Sequence, residues 1–104
     1  MSDILDKLKS ISPCYVELSE TVLFGQMWHR NVLSTRERSL ITVAALTVLN
    51  RLEQLPFHLE LARKNGLSVE QLSELITHLA FYGGWPVAAS ALERLALMAD
   101  KELR

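Results

Sequence analysis

An all-α fold is what this 104-residue sequence predicts, and three observations predict it. Apolar residues recur three and four apart, and no segment alternates the way a half-buried strand does. Two capping-box patterns, Ser34 with Glu37 and Ser68 with Gln71, mark helix starts. Asn65-Gly66 supplies the kind of stop that ends a helix in a left-handed residue, and Gly83-Gly84 marks another helix end.

In order, the chain reads as five to six helices. Residues 2–9 form a short amphipathic starter with Ile4, Leu5 and Leu8 on one side, ended by Pro13, which keeps Ser12 out of helical geometry. A second helix is expected over about 14–30, with Val16, Leu23 and Met27 on its buried side. The Ser34 cap opens a third over about 35–49. From Leu40 to Leu49 it reads LITVAALTVL, apolar on every face apart from Thr42 and Thr47, and a helix apolar all round is expected to be buried all round. A small domain has few ways to surround one of its own helices, so part of this surface is expected to be covered by another subunit. Asn50 and Arg51 break the run. A fourth helix is expected over about 52–65, with Pro56 tolerated only in its first turn. The Ser68 cap opens a fifth, to about Tyr82, and Pro86 suits the first turn of a last helix ending near Leu103.

The length suits one domain, 1–104, with one core. A hydrophobic content of 49% leaves little polar surface, which again favours a buried interface between copies. Eleven basic and twelve acidic residues, with no basic block, give no electrostatic footprint for nucleic acid or an anionic membrane. No apolar run reaches the length of a membrane span. The lone cysteine, Cys14, cannot close an internal disulfide and no leader pattern opens the chain, so a cytoplasmic setting is expected.

The residues able to carry chemistry fall in two places. In NRLEQLPFH, residues 50–58, a continuous helix would set Arg51, Gln54 and His58 on one face: a cation, a carboxamide and an imidazole. On the fifth helix Glu74, His78 and Tyr82 recur at spacings of four, so a carboxylate can orient the imidazole with a phenol beyond it. Each set has a plain alternative: a solvated face for the first, an exposed pair worth roughly 0.2–0.5 kcal/mol for the second. Trp28 and Trp85 either wall a pocket or fill a core, His29 reads as surface, and Cys14 reads as an inert, packed thiol. Neither H-x-x-x-H nor H-E-x-x-H is present, so no metal site is expected. The absence of G-x-G-x-x-G, a Walker loop and G-x-S-x-G leaves nucleotide cofactors and serine-hydrolase chemistry without support.

Several motifs combine into a resemblance. F-G-x-x-W at 24–28, R-x-R-S-L at 36–40, E-Q-L-x-x-H at 53–58, the N-G stop and H-x-A-x-Y-G-G-W-P at 78–86 together resemble the carboxymuconolactone decarboxylase family, from about Phe24 to Leu92. That family shares its helical fold with the alkyl hydroperoxidase D proteins, so the resemblance implies that fold and a homo-oligomer, a trimer or hexamer. The peroxidase branch carries C-x-x-C-x-x-x-H. Aligning its histidine with His58 puts Arg51 and Gln54 where the two thiols would be, which removes the basis for a dithiol cycle.

The decarboxylase branch releases carbon dioxide from 4-carboxymuconolactone without a cofactor, so the resemblance implies a small anionic cyclic acid as partner. Such a substrate calls for a cation on the carboxylate that stays, a less polar wall around the one that leaves, and a proton donor. Arg51 or Arg36, with Gln54, meets the first need. Trp28, Tyr82 and Trp85 meet the second, and His58 or His78 the third, with Glu74 as orienter and His58 ranked first. The alternatives are a non-catalytic member that binds small ligands or serves assembly, and a thiol-based antioxidant using Cys14 between subunits.

Overall fold

The computed structural model describes residues 2–103, with side chains from residue 4 onward, and these residues contain six α-helices and no strand. They fall into two compact units, Met1–Ser34 and Thr35–Arg104.

The first unit holds α1 (Ser2–Ile11) and α2 (Pro13–Leu18), followed by a π-helical segment, Ser19–Leu23, and a 3-10 turn, Met27–His29. Ser12 leaves helical geometry at φ −147°, as expected of a residue before proline. The continuous helix expected over 14–30 is not formed: α2 passes into the π-helical segment at Ser19, and turns over 24–26 separate that segment from the 3-10 turn. The hydroxyls of Ser19 and Thr21 donate to the carbonyls of Tyr15 and Glu17 at 2.9 and 2.8 Å. The Phe24 N–H then reaches five residues back to the Ser19 carbonyl, at 2.9 Å. Gly25 follows because nothing larger fits: a Cβ there would lie 2.5 Å from the Thr21 carbonyl oxygen. Trp28 is buried and stacks on Phe24, with ring centroids 6.0 Å apart. Cys14 is exposed, not packed as the sequence suggested, because it occupies an outward position in the first turn of α2.

The second unit is built from α3 (Thr35–Val48), α4 (Leu55–Lys64), α5 (Val69–Gly83) and α6 (Trp85–Glu102). Each contributes one buried stripe at helical spacing: Ser39, Val43 and Thr47 from α3, Leu55, Leu59 and Ala62 from α4, Leu72, Ile76 and Ala80 from α5, and Ala88, Ala91, Leu95 and Met98 from α6. Leu67, fully buried between α4 and α5, closes the same core. The expectation that α3 is buried all round is corrected within the chain. Ile41 and Val48 on this helix, and Leu49 just beyond it, remain exposed, because the other three helices cover only one side.

The boundaries follow local chemistry. Asn50 sits at φ 58°, a conformation asparagine tolerates, and ends α3. Residues 52–54 then form a turn, so α4 starts at Leu55 and not at 52, with Pro56 in its first turn, where a missing N–H costs no helical bond. Gly66 at φ 103° ends α4, and Asn65 Nδ2 donates to the buried Ser39 Oγ at 3.0 Å, tying that end to α3. The Ser68 box is formed with both of its bonds. At the far ends of α3 and α5 a Cβ on Gly83 would lie 2.9 Å from Val48 Cγ1, so the helices touch there through the glycine. Arg63 joins the end of α4 to that of α6 by three hydrogen bonds from its guanidinium to the Glu102 carboxylate, at 2.9–3.1 Å. This pair holds the Glu102 carboxyl below its ordinary range.

Candidate functional site

The start of α3 faces the start of α5 across a groove of about 550 Å³. Its walls come from two matching stripes. Arg36, Leu40 and Ala44 stand four apart on α3, and Gln71, Glu74 or Leu75, and His78 stand three and four apart on α5. Ala44 is short, which opens the space, while Leu40, Ile41, Leu75 and Leu79 make the lining aliphatic. Four polar side chains interrupt it: Arg36, Gln71, Glu74 and His78.

Arg36 passes close to Gly66, whose Cβ position would lie 3.9 Å from the arginine Cδ, so its stem lies beside the turn that leads into α5. Arg36 is half-buried, and among the described residues it forms no ion pair with Glu74. Glu74 precedes His78 by one helical turn, and both are exposed on the same face of α5. The His78 ring lies 5.2 Å from that of Tyr82, tilted by 34°.

The expected partners of this site are dispersed. Arg51 lies just ahead of the turn that leads into α4 and Gln54 at its N-cap, both exposed, so the single helical face expected of Arg51, Gln54 and His58 is not built. His58, half-buried in the first turns of α4, meets the edge of Phe57 at 5.0 Å. Burial pushes its pKa below the ordinary 6.5, which favours a neutral ring. It does not line the groove. Tyr82 and Trp85 are 77% and 66% exposed and stand outside the groove, whose less polar wall is aliphatic instead. Trp28 belongs to the first unit. Among the described residues no three His, Cys, Asp or Glu side chains gather as a metal site would require.

Gln71 and the aliphatic wall were the part sequence reasoning missed. Gln71 was visible as the second half of a capping box but not as a groove residue. The signal was there in the pairing of two i, i+4, i+7/8 stripes, Arg36–Leu40–Ala44 against Gln71–Leu75–His78. Chemically, the groove offers a cation and an amide at one end, an imidazole with a carboxylate one turn away at the other, and aliphatic walls between.

No helix of the described residues is long and apolar enough to cross a membrane. Residues 13–96 match the profile of the Carboxymuconolactone decarboxylase family. Over 88 residues the chain is 32% identical to a 4-carboxymuconolactone decarboxylase of Acinetobacter baylyi (strain ATCC 33305 / BD413 / ADP1), an alignment covering 85% of this chain and 66% of that relative. A profile match over most of the chain, on an all-helical fold that keeps both glycine stops and the α5 cap, places the protein: it belongs to the carboxymuconolactone decarboxylase family.

Proposed function

We propose that the α3–α5 groove is the active site of a cofactor-independent decarboxylase acting on a small cyclic lactone dicarboxylic acid, of the kind represented by 4-carboxymuconolactone. The observation that carries this reading is the presence of Arg36 and His78 in one aliphatic groove, with Glu74 one turn from the imidazole. The relative from Acinetobacter baylyi, named for that activity, supports the reaction class.

In this reading Arg36 holds the carboxylate that is retained. The carboxylate that leaves lies against Leu40, Leu75 and Leu79, where loss of hydration favours its conversion to neutral carbon dioxide. The carbon–carbon bond breaks, its electron pair enters the unsaturated lactone as a dienolate, and carbon dioxide departs. His78 then gives a proton to the ring carbon beside the lactone carbonyl and recovers one from water; imidazole is the side chain suited to such exchange near neutral pH. Glu74 holds the ring in orientation.

The apolar residues left outside the core, including Ile41, Phe81, Tyr82 and Trp85, support a homo-oligomer in which they meet a second copy. A cytoplasmic setting fits a chain whose single cysteine is a free, exposed thiol.

One observation favours a second reading. The polar groups of the groove face solvent, as suits a protein that holds a small acid without transforming it. A panel of lactone and muconate acids, followed by ultraviolet absorbance and carbon dioxide release, separates the two. Turnover of any member supports the decarboxylase; binding without release supports the holding role.

A further inference from the structure

We infer that Gln71 is a ligand-binding residue as well as a helix cap, and that its side-chain amide and Arg36 together hold the retained carboxylate of an acid in the α3–α5 groove. This rests on the reading of the groove as the site.

The capping box fixes what Gln71 can offer. The Ser68 backbone N–H donates to Gln71 Oε1 at 2.9 Å, and the Gln71 N–H donates to Ser68 Oγ at 3.0 Å. Only the oxygen of a carboxamide can accept from an N–H, so the orientation of this amide is set by chemistry. With Oε1 engaged, the side chain retains its two Nε2–H bonds, both donors, on a residue that lines the groove. A donor held in place by a bond elsewhere loses little freedom on meeting a ligand, which lowers the cost of binding.

Arg36 brings its stem past Gly66, the turn that runs directly into the Ser68 cap, so the two donors stand at the same end of the groove. His78 lies seven residues further along α5, about 10 Å at 1.5 Å per residue. Glu74, between them, repels a carboxylate and directs it back toward Gln71. The result is a polarity: the retained carboxylate at the Ser68 end, the reacting ring toward His78.

Glutamate at the same position separates the two roles of Gln71, because it serves a capping box as well as glutamine does while replacing the amide donors with a negative charge. The experiment is calorimetric titration of the parent, Gln71→Glu, Gln71→Ala and Arg36→Ala with muconolactone, a lactone monocarboxylate, and with its methyl ester. Light scattering and thermal melts accompany each variant. The parent is expected to prefer the acid to the ester. Gln71→Glu is expected to keep the parent melting temperature, to bind the acid roughly ten- to a hundredfold more weakly, as for loss of a hydrogen bond to a charged group, and to lose the preference over the ester. Gln71→Ala is expected to lose the same preference and also to melt earlier, through the lost cap.

If Arg36→Ala weakens acid binding while Gln71→Glu binds like the parent, the assignment of Gln71 is overturned and the groove stands. Equal losses for acid and ester in Gln71→Glu also overturn it, since they indicate a purely structural effect, as does a changed oligomer mass with affinity unaltered. A parent protein that takes up neither compound overturns the reading of the groove, and this inference with it.

Discussion

Gly83 on α5 meets Val48 on α3 so closely that a methyl group in place of its hydrogen would lie 2.9 Å from Val48 Cγ1 and 3.3 Å from its Cβ. Glycine inside a helix is ordinarily a weakness, and replacing it with alanine gains about 0.5–1 kcal/mol. Here the sign is expected to reverse. Valine is stiff about its first side-chain bond and cannot swing away, so Gly83→Ala should cost about 1–3 kcal/mol as the helices are forced apart. Urea unfolding measures it, and Val48→Ala in the same chain should restore much of the loss. A stabilised Gly83→Ala protein would show that the two helices have room to spare.

The kinetic variants divide by role. Arg36→Ala is expected to weaken acid binding by about 1.5–3 kcal/mol, the worth of a hydrogen bond to a charged group. His78→Ala is expected to lower the rate of the chemical step by about two to four powers of ten with binding much less changed. Arg51→Ala and His58→Ala, altering side chains outside the groove, should leave the rate within a few-fold. Steady-state rates on whichever lactone acid turns over decide the matter, and a larger loss in His58→Ala than in His78→Ala would move the proton donor to α4.

Acid titration has two separable phases. Burial lowers the pKa of His58 in the folded chain below the 6.5 of the free side chain, so the unfolded chain takes up its proton first as the pH falls. The contribution of His58 to stability is constant above about 6.5, declines as the pH drops from there through the lowered native value, and is constant again below it. The Glu102 carboxyl, held below its ordinary 4.5 by Arg63, keeps its contribution above that value and loses it further down as it protonates. Melting temperatures of the parent should therefore fall between pH 7 and 5, and those of His58→Gln should fall less. Identical slopes would show that other groups govern this range.

Association is expected because so much apolar surface lies outside the core. Phe81, Tyr82 and Trp85 are each at least 66% exposed in one stretch of five residues. Light scattering across a dilution series should give a homo-oligomer, with a trimer or hexamer the expected mass. A stable species of chain mass, 11.8 kDa, at micromolar concentration would refute it.

Thiol chemistry is expected to be absent from the native activity. Cys14 has no second cysteine in the sequence to close a disulfide with, and its exposure leaves it free to be blocked without disturbing the core. Cys14→Ser should keep activity on lactone acids, and a peroxide assay with a dithiol donor should stay at the buffer rate. Peroxide turnover that disappears in Cys14→Ser would restore the antioxidant reading.

What could be read from the chain in advance was local. The Ser68–Gln71 cap, the Asn65-Gly66 stop and Pro86 at the head of α6 each depend on a few neighbouring residues, and each formed as the sequence indicated. The helix expected over 14–30 gave way to a π-helical segment and a 3-10 turn, a change of backbone geometry that apolar periodicity does not register. The face of Arg51, Gln54 and His58 failed for a similar reason: three residues of turn before Pro56 are enough to remove the helical phase relating them. The groove was the hardest to see, since it arises from the pairing of α3 with α5 and no single motif contains both Arg36 and His78.

The π-helical segment Ser19–Leu23 bears on how this chain tolerates changes of length. A wider turn absorbs an extra residue that an ordinary α-turn has no place for. Removing one residue from this segment would let the ladder close at the usual spacing while leaving α2 and Phe24 close to their present phase. Within this unit, a one-residue deletion at Ser19–Leu23 is thus taken up locally, where elsewhere in a helix it would turn one side against the other by about 100°.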